Sequence, residues 1–271
     1  MNSPQSPQWI VVGIDGSDAA INAAKWAVPE AISRDIALRL IHAIPERRTN
    51  APATDIGLDI EYGETALRSA SAAVYATEQP VKIETDIVDG SPSNALVNES
   101  RNAAMVCVGS VGIGRWARKV LGSTAAAVAQ RAHCPVAVVR TDGKAVSPAS
   151  SGIAVVVDDS EGNDAVLEYG FREAKLRAAP ILALGVWRWG FGEIPYTQLN
   201  HRLGPWVAQY PDVHVRPAAA RRGAADFLSS TQEPVQLAVV GSVDASEVAR
   251  LVGPINPHFG RAGHSVLVVR A

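Results

Sequence analysis

The chain says nearly the same thing twice, and that repetition limits its possible folds more than any other feature does. Residues 9–31, "WIVVGIDGSDAAINAAKWAVPEA", are matched by residues 152–174, "GIAVVVDDSEGNDAVLEYGFREA": an apolar run, an acid, a serine and a helical pattern. The endings "RAHCPVAVVR" and "RAGHSVLVVR" match as well. Between the copies, residues 141–152, "TDGKAVSPASSG", are small, polar and rich in Pro, Gly and Ser, as a linker needs to be. At 271 residues the chain is long enough for two apolar cores, so we divide it into domains at 1–143 and 150–271.

In the first copy, "WIVVGI" and "LRLIHAI" are the short apolar runs of strands covered on both faces, each followed by a helical pattern. Ser17 is placed to cap the first helix. Its predicted buried face is Ile21, Ala24, Val28, Ala31 and Ile32, with Pro29 expected to bend or shorten it. A longer helix is expected over 61–78, then strand "VKIETDIV", a helix opened by Ser91 and Pro92, and strands "AAMVCVG" and "PVAVV". The second copy places strands near Ile153, Ile181, His214, Leu237 and Val266. This alternation implies an α/β protein with two tandem, open, five-stranded parallel sheets and helices on both faces of each.

A net charge of -2 gives no polycationic footprint, which argues against nucleic acid or an anionic membrane as partner. The opening "MNSPQSPQ" has no basic region followed by an apolar core, and apolar runs fall far short of the ~20 residues that span a bilayer. The expected location is the cytoplasm. Cys107 and Cys134 sit in strand-like apolar surroundings and are read as buried thiols.

The chemistry concentrates in "VGSVGIGRWARKVLGST". Gly109, Gly112 and Gly114 would let main-chain amides approach an anion, and Gly122, Ser123 and Thr124 open the next helix, whose N-terminus favours negative charge. From 101 to 141 there is no Asp or Glu, but there are Arg101, Arg115, Arg118, Lys119, Arg131 and Arg140. Glycines that merely permit a tight turn are the alternative. The Gly-Lys-Ser/Thr ending of a P-loop is absent, and "GIGRWA" lacks the later acid of a dinucleotide fingerprint.

Gly109, two residues, Gly112, nine residues, then Gly122-Ser123 resembles the ATP-binding signature of universal stress proteins. "VVGIDGS", "LIHAI" and "RAHCPVAVV" are similar to further landmarks of that family, and the likeness covers both copies. The resemblance implies the adenine-nucleotide α-hydrolase-like fold, with ATP flanked by Gly13, Ile14 and Asp15 and touched by Ala43 at its adenine. It implies that Val108 and Gly109 line the nucleotide, that Gly112 meets the ribose or phosphate region, and that Gly122, Ser123 and Thr124 hold the phosphates. Arg115 is a further candidate, and Mg²⁺ is expected with the triphosphate. Asp15 has a second reading as a helix cap, and His42 reads as a hydrogen-bonded strand residue, since no nucleophile is paired with it.

The second copy has Val156 in place of Gly13 and Asp244 in place of Gly112, adds Glu247, and carries Gly253-Pro254 where the first has Gly-Ser. We expect it to keep the fold and lose the nucleotide, leaving one ATP per chain. The aromatic stretch 187–196 reads as core-edge packing, with a partner patch or a flap as alternatives; Trp206 reads as core. In the family the last strand, here 135–139 and 265–269, pairs with a counterpart in another domain, which implies a homodimer of such chains.

The resulting reading is a non-catalytic, ATP-binding regulator of stress response or growth with an unidentified protein partner. No activated nucleophile or metal-binding pattern is visible, so any hydrolysis is expected to be slow. The rivals are an adenylyl-transferring or ATP-hydrolysing enzyme of the related fold, and a purely structural interaction module.

Overall fold

The computed structural model describes residues 9–44, 53–112, 121–140, 151–186, 196–253 and 264–270. The chain divides into two units, Met1–Thr141 and Asp142–Ala271. In the first, strands β1 (Trp9–Gly13), β2 (Ala37–Ile44), β3 (Ile83–Asp89), β4 (Ala103–Gly109) and β5 (Val136–Val139) alternate with helices α1 (Asp18–Ser33), α2 (Ala53–Tyr75), α3 (Pro92–Glu99) and α4 (Ser123–Arg131). All neighbouring strands are parallel, in the order β3-β2-β1-β4-β5. Helices α1 and α2 pack together on one face, α3 and α4 on the other.

The second unit repeats this plan. Strands β6 (Gly152–Val157), β7 (Ile181–Gly185), β8 (Val215–Ala219), β9 (Val235–Gly241) and β10 (Ser265–Val269) form the parallel order β8-β7-β6-β9-β10. Its helices are α5 (Asn163–Leu176), α6 (Tyr196–Gln209), α7 (Ala224–Ser230) and α8 (Val248–Val252). The repetition extends to single bonds. Buried Glu30 and Glu173 each hold an arginine four residues on, Arg34 at 2.6 Å and Arg177 at 2.8 Å. Asp15 and Asp158 each accept two bonds from a serine two residues on.

Several local expectations need correction. Helix α1 buries an alanine face, Ala19, Ala20, Ala23, Ala24 and Ala27 together with Val28 and Ala31, while Ile32 is exposed and Ile21 only half-buried. The helix lies so close to the sheet that small side chains take the inner face and the isoleucines move to its rim. Helix α1 runs past Pro29 to Ser33 and closes with bonds from the Arg34 and Ile36 amides to Ala31. Helix α2 covers Ala53–Tyr75 rather than 61–78, and Glu78 lies outside it with φ +56°. Ser91 occupies the cap position of α3 with Pro92 in its first turn, but its side chain makes no capping bond, whereas Ser17 Oγ accepts from the Ala20 amide at 3.2 Å. Both cysteines are buried.

Trp206 is half-buried against Phe171, with ring centroids 6.0 Å apart. Of the aromatic stretch, residues 187–195 lie outside the described residues; Tyr196, at the start of α6, is exposed. No described helix is long and apolar enough to cross a membrane.

Candidate functional site

Strand order places β1 at the centre of the first sheet, with β2 on one side and β4 on the other, so the chain reverses direction across the sheet there. A crevice must open at the carboxyl ends of β1 and β4, where connections diverge to opposite faces. A cavity of about 340 Å³ lies at that point, within the roughly 300–1,000 Å³ of small-molecule sites. Gly13, Ile14, Asp15, Ala43, Val108, Gly109, Gly112, Gly122, Ser123 and Thr124 all line it. Arg115 lies outside the described residues.

The glycines are there for different reasons. A Cβ on Gly109 would sit 2.7 Å from the Ala19 carbonyl carbon, so this glycine seats α1 on β4. On Gly13 it would meet Leu96 Cδ1 at 2.8 Å, and on Gly112 the Asp15 Oδ2 oxygen at 2.8 Å. Gly122 has ordinary room, with nothing nearer than 3.7 Å, and φ -62°, so neither neighbours nor backbone require a glycine there. What a side chain at Gly122 would narrow is the cavity it lines. The Gly122 amide donates to the Ser110 carbonyl at 2.9 Å, which ties the return of the loop to its departure.

Helix α4 starts at this wall. Its first internal bond runs from the Ala126 amide to the Gly122 carbonyl at 3.0 Å, and Gly122 supplies no side-chain cap. The amides of Ser123, Thr124 and Ala125 therefore have no acceptor within the helix, and all three residues line the cavity. Such an end favours an anion. The basic residues contribute less than their abundance implies: Arg101, Arg131 and Arg140 do not line the cavity, and Arg131 reaches Asn94 from the far end of α4. Arg118 and Lys119 lie outside the described residues, as does Gly114.

Asp15 takes the structural role weighed for it, and its second oxygen lies on the cavity side. Its Oδ1 accepts from the Ser17 amide at 2.9 Å and the Ser17 hydroxyl at 2.6 Å, the turn that launches α1, while Oδ2 is the oxygen facing Gly112. The sequence reading missed Leu96 and Pro92, which line the cavity from α3. Their spacing of four after a serine at the helix start was the available signal. It also missed Tyr62, whose hydroxyl donates to the Asp15 carbonyl at 2.9 Å. His42 is buried and its Nδ1 lies 2.7 Å from the Ile14 carbonyl, an acceptor only, so Nδ1 carries the proton.

In the second unit, Val156 stands for Gly13 and buried Asn163 for Ala20, with the Asn163 amide donating to the Val156 carbonyl at 3.0 Å. After Gly241 the chain winds into a 3-10 helix, Ser242–Glu247, which carries Asp244. Gly253 does not open a described helix but ends α8 with φ +74°; Pro254 lies outside the described residues.

Two doubly wound parallel units in tandem define the class of this chain. It belongs to the universal stress protein family: residues 8–140 match that family, and full-length relatives carry its name. Universal stress protein Rv2624c of Mycobacterium tuberculosis (strain ATCC 25618 / H37Rv) is 51% identical over 264 residues, 96% of each chain. Universal stress protein Rv3134c of that strain is 40% identical over 281 residues, covering 100% of this chain and 99% of its own. The crystal structure of a universal stress protein from Archaeoglobus fulgidus DSM 4304 shares the fold with a TM-score of 0.71, over 98% of this chain and 97% of its own, at 16% identity.

Proposed function

We propose that the first unit binds ATP, one molecule per chain, and that the protein is a non-catalytic regulator whose state follows nucleotide occupancy. The observation that carries this is the α4 N-terminus: three amides without intrahelical acceptors open into a cavity at the switch point of the sheet. The phosphates would sit there, against Gly122, Ser123 and Thr124. Asp15 Oδ2, beside Gly112, would accept from ribose hydroxyls.

The adenine end has a main-chain basis as well. Alternation along β2 turns the amide and carbonyl of Ala43 toward β1, but that ladder ends at the pair Gly13–Ile41. Among the described residues neither Ala43 group has a backbone partner. A donor beside an acceptor matches adenine, whose N1 accepts and whose N6 amino group donates. Mg²⁺ would be carried chiefly by the phosphate oxygens, because the described residues hold no cluster of three or more His, Cys, Asp or Glu side chains.

ATP hydrolysis is not part of this reading: the one hydroxyl bonded to a cavity carboxylate in the described residues, Ser17 on Asp15 at 2.6 Å, caps α1 and does not line the cavity. Incubation of the protein with ATP and Mg²⁺ is expected to return ATP unchanged over many binding lifetimes. Steady release of AMP and pyrophosphate would instead mark an adenylyl-transferring enzyme. Asp15→Ala is expected to weaken ATP binding by ~10–100-fold, the worth of a hydrogen bond to a charged group, and to cost about 1 kcal/mol through the lost turn. Asp158→Ala, which breaks the same turn in the second unit, should show the stability loss alone in calorimetry.

A further inference from the structure

One backbone bond beside the central strand is made in the second unit and replaced in the first by a side-chain bond. In the second unit the ladder between β6 and β7 continues to the pair Val157–Gly185, and the Val186 amide then donates to the Val157 carbonyl at 2.9 Å. In the first unit the equivalent residues are Ile14, His42 and Ala43. There the ladder stops one pair earlier, at Gly13–Ile41, and the Ile14 carbonyl is taken by His42 Nδ1 at 2.7 Å. The imidazole thus occupies the acceptor that the Ala43 amide would otherwise use. Where the second unit has Gly185, no side chain competes and the amide closes the ladder.

We infer that His42 is a positioning residue which selects the base in the cavity, by capping the Ile14 carbonyl and so leaving the Ala43 amide for the ligand. The imidazole is held in this role from α2: a Cβ on Gly63 would lie 2.6 Å from His42 Cδ2, and the Tyr62 ring is 5.8 Å away, centroid to centroid. Gly63 is therefore the residue that admits the ring. His42 and Ala43 both line the cavity. The inference rests on the proposed adenine nucleotide. With both groups of Ala43 available, adenine is matched and guanine is mismatched twice, because guanine offers a donor at N1 and an acceptor at O6. Once the Ala43 amide closes onto Ile14, the donor that recognises adenine N1 is gone, and the discrimination falls with it.

Two measurements on the full chain test this. The first is exchange of the Ala43 amide hydrogen, without nucleotide, in the wild type and in His42→Gly, His42→Leu and His42→Asn. His42→Leu fills the ring space without a donor, so it serves if the glycine variant does not fold. Both donor-free variants are expected to protect the Ala43 amide ~10-fold or more over the wild type, while His42→Asn, whose amide can still donate to Ile14, stays near the wild type. The second is the ratio of ATP to GTP affinity, expected to fall ~10-fold or more in His42→Leu and to be largely kept in His42→Asn. An Ala43 amide as exposed in His42→Leu as in the wild type would overturn the inference, as would an unchanged ATP to GTP ratio. Should the wild type bind neither nucleotide, the proposed function fails, and the exchange comparison alone still decides whether the imidazole holds this amide out of the sheet.

Discussion

Arginine at position 112 is expected to empty the cavity of nucleotide while leaving the fold intact. Gly112 lies on the cavity wall, and the protein atom a Cβ there would first meet is Asp15 Oδ2, at 2.8 Å. That carboxylate can swing or pair with the new guanidinium, so the substitution is tolerable to the protein. It is not tolerable to a ligand, because a long side chain then fills the place where ribose and phosphate would sit. ATP binding by calorimetry should fall at least ~100-fold, comparable to losing one or two charge-assisted bonds. The melting temperature should shift by no more than a few degrees, as surface substitutions do. Retention of near-normal ATP affinity would place the nucleotide elsewhere.

Valine at position 109 is expected to do the opposite and damage the fold first. Its Cβ would lie 2.7 Å from the carbonyl carbon and 2.9 Å from the carbonyl oxygen of Ala19, and these are backbone atoms that cannot rotate aside. Helix α1 would have to lift from β4, and its alanine face would lose the close contact that makes it a stable inner surface. Overpacking of this kind costs about 1–3 kcal/mol or somewhat more, which corresponds to a fall of roughly 5–10 °C in melting temperature. Gly241 ends the corresponding strand of the second unit, where a Cβ would meet nothing closer than 3.7 Å. Gly241→Val should therefore cost under about 1 kcal/mol. Equal destabilisation by the two variants, in thermal unfolding, would contradict this assignment of Gly109.

Gly109 and Gly122 show where the sequence was legible and where it was not. Strand and helix order could be read from alternating apolar runs, because a doubly covered parallel sheet imposes that pattern locally. The cavity wall could be read from the glycine spacing, because the loop and the helix start are contiguous in the chain. What the glycines do was less accessible: Gly109 and Gly122 look alike in sequence, yet one is fixed by a helix that arrives from 90 residues earlier and the other by no protein atom. The same limit misplaced Ile21 and Ile32 in the buried face of α1, where Ala24, Val28 and Ala31 were read correctly, because the face depends on how near the helix lies to the sheet rather than on which residues are most apolar. The basic residues were misleading for a related reason. Arg101 and Arg131 belong to the same acid-free stretch as the loop, but a strand and a helix carry them away from it.

The comparison of the two units carries the claim of one site per chain. Val156, Asn163, the Ser242–Glu247 turn and the closed Val186 bond all fall where the first unit has Gly13, Ala20, the glycine loop and the open Ala43 amide. Each change is small, and each takes away either room or a donor. Under the proposed function the second unit would serve as architecture, available for assembly into a homodimer or for a protein partner.

Native mass spectrometry of protein purified without added nucleotide reads bound mass and assembly together. A dimer in which each chain retains one ATP is expected. Chains that stay empty even when excess ATP is supplied, or that carry two equivalents each, would contradict it.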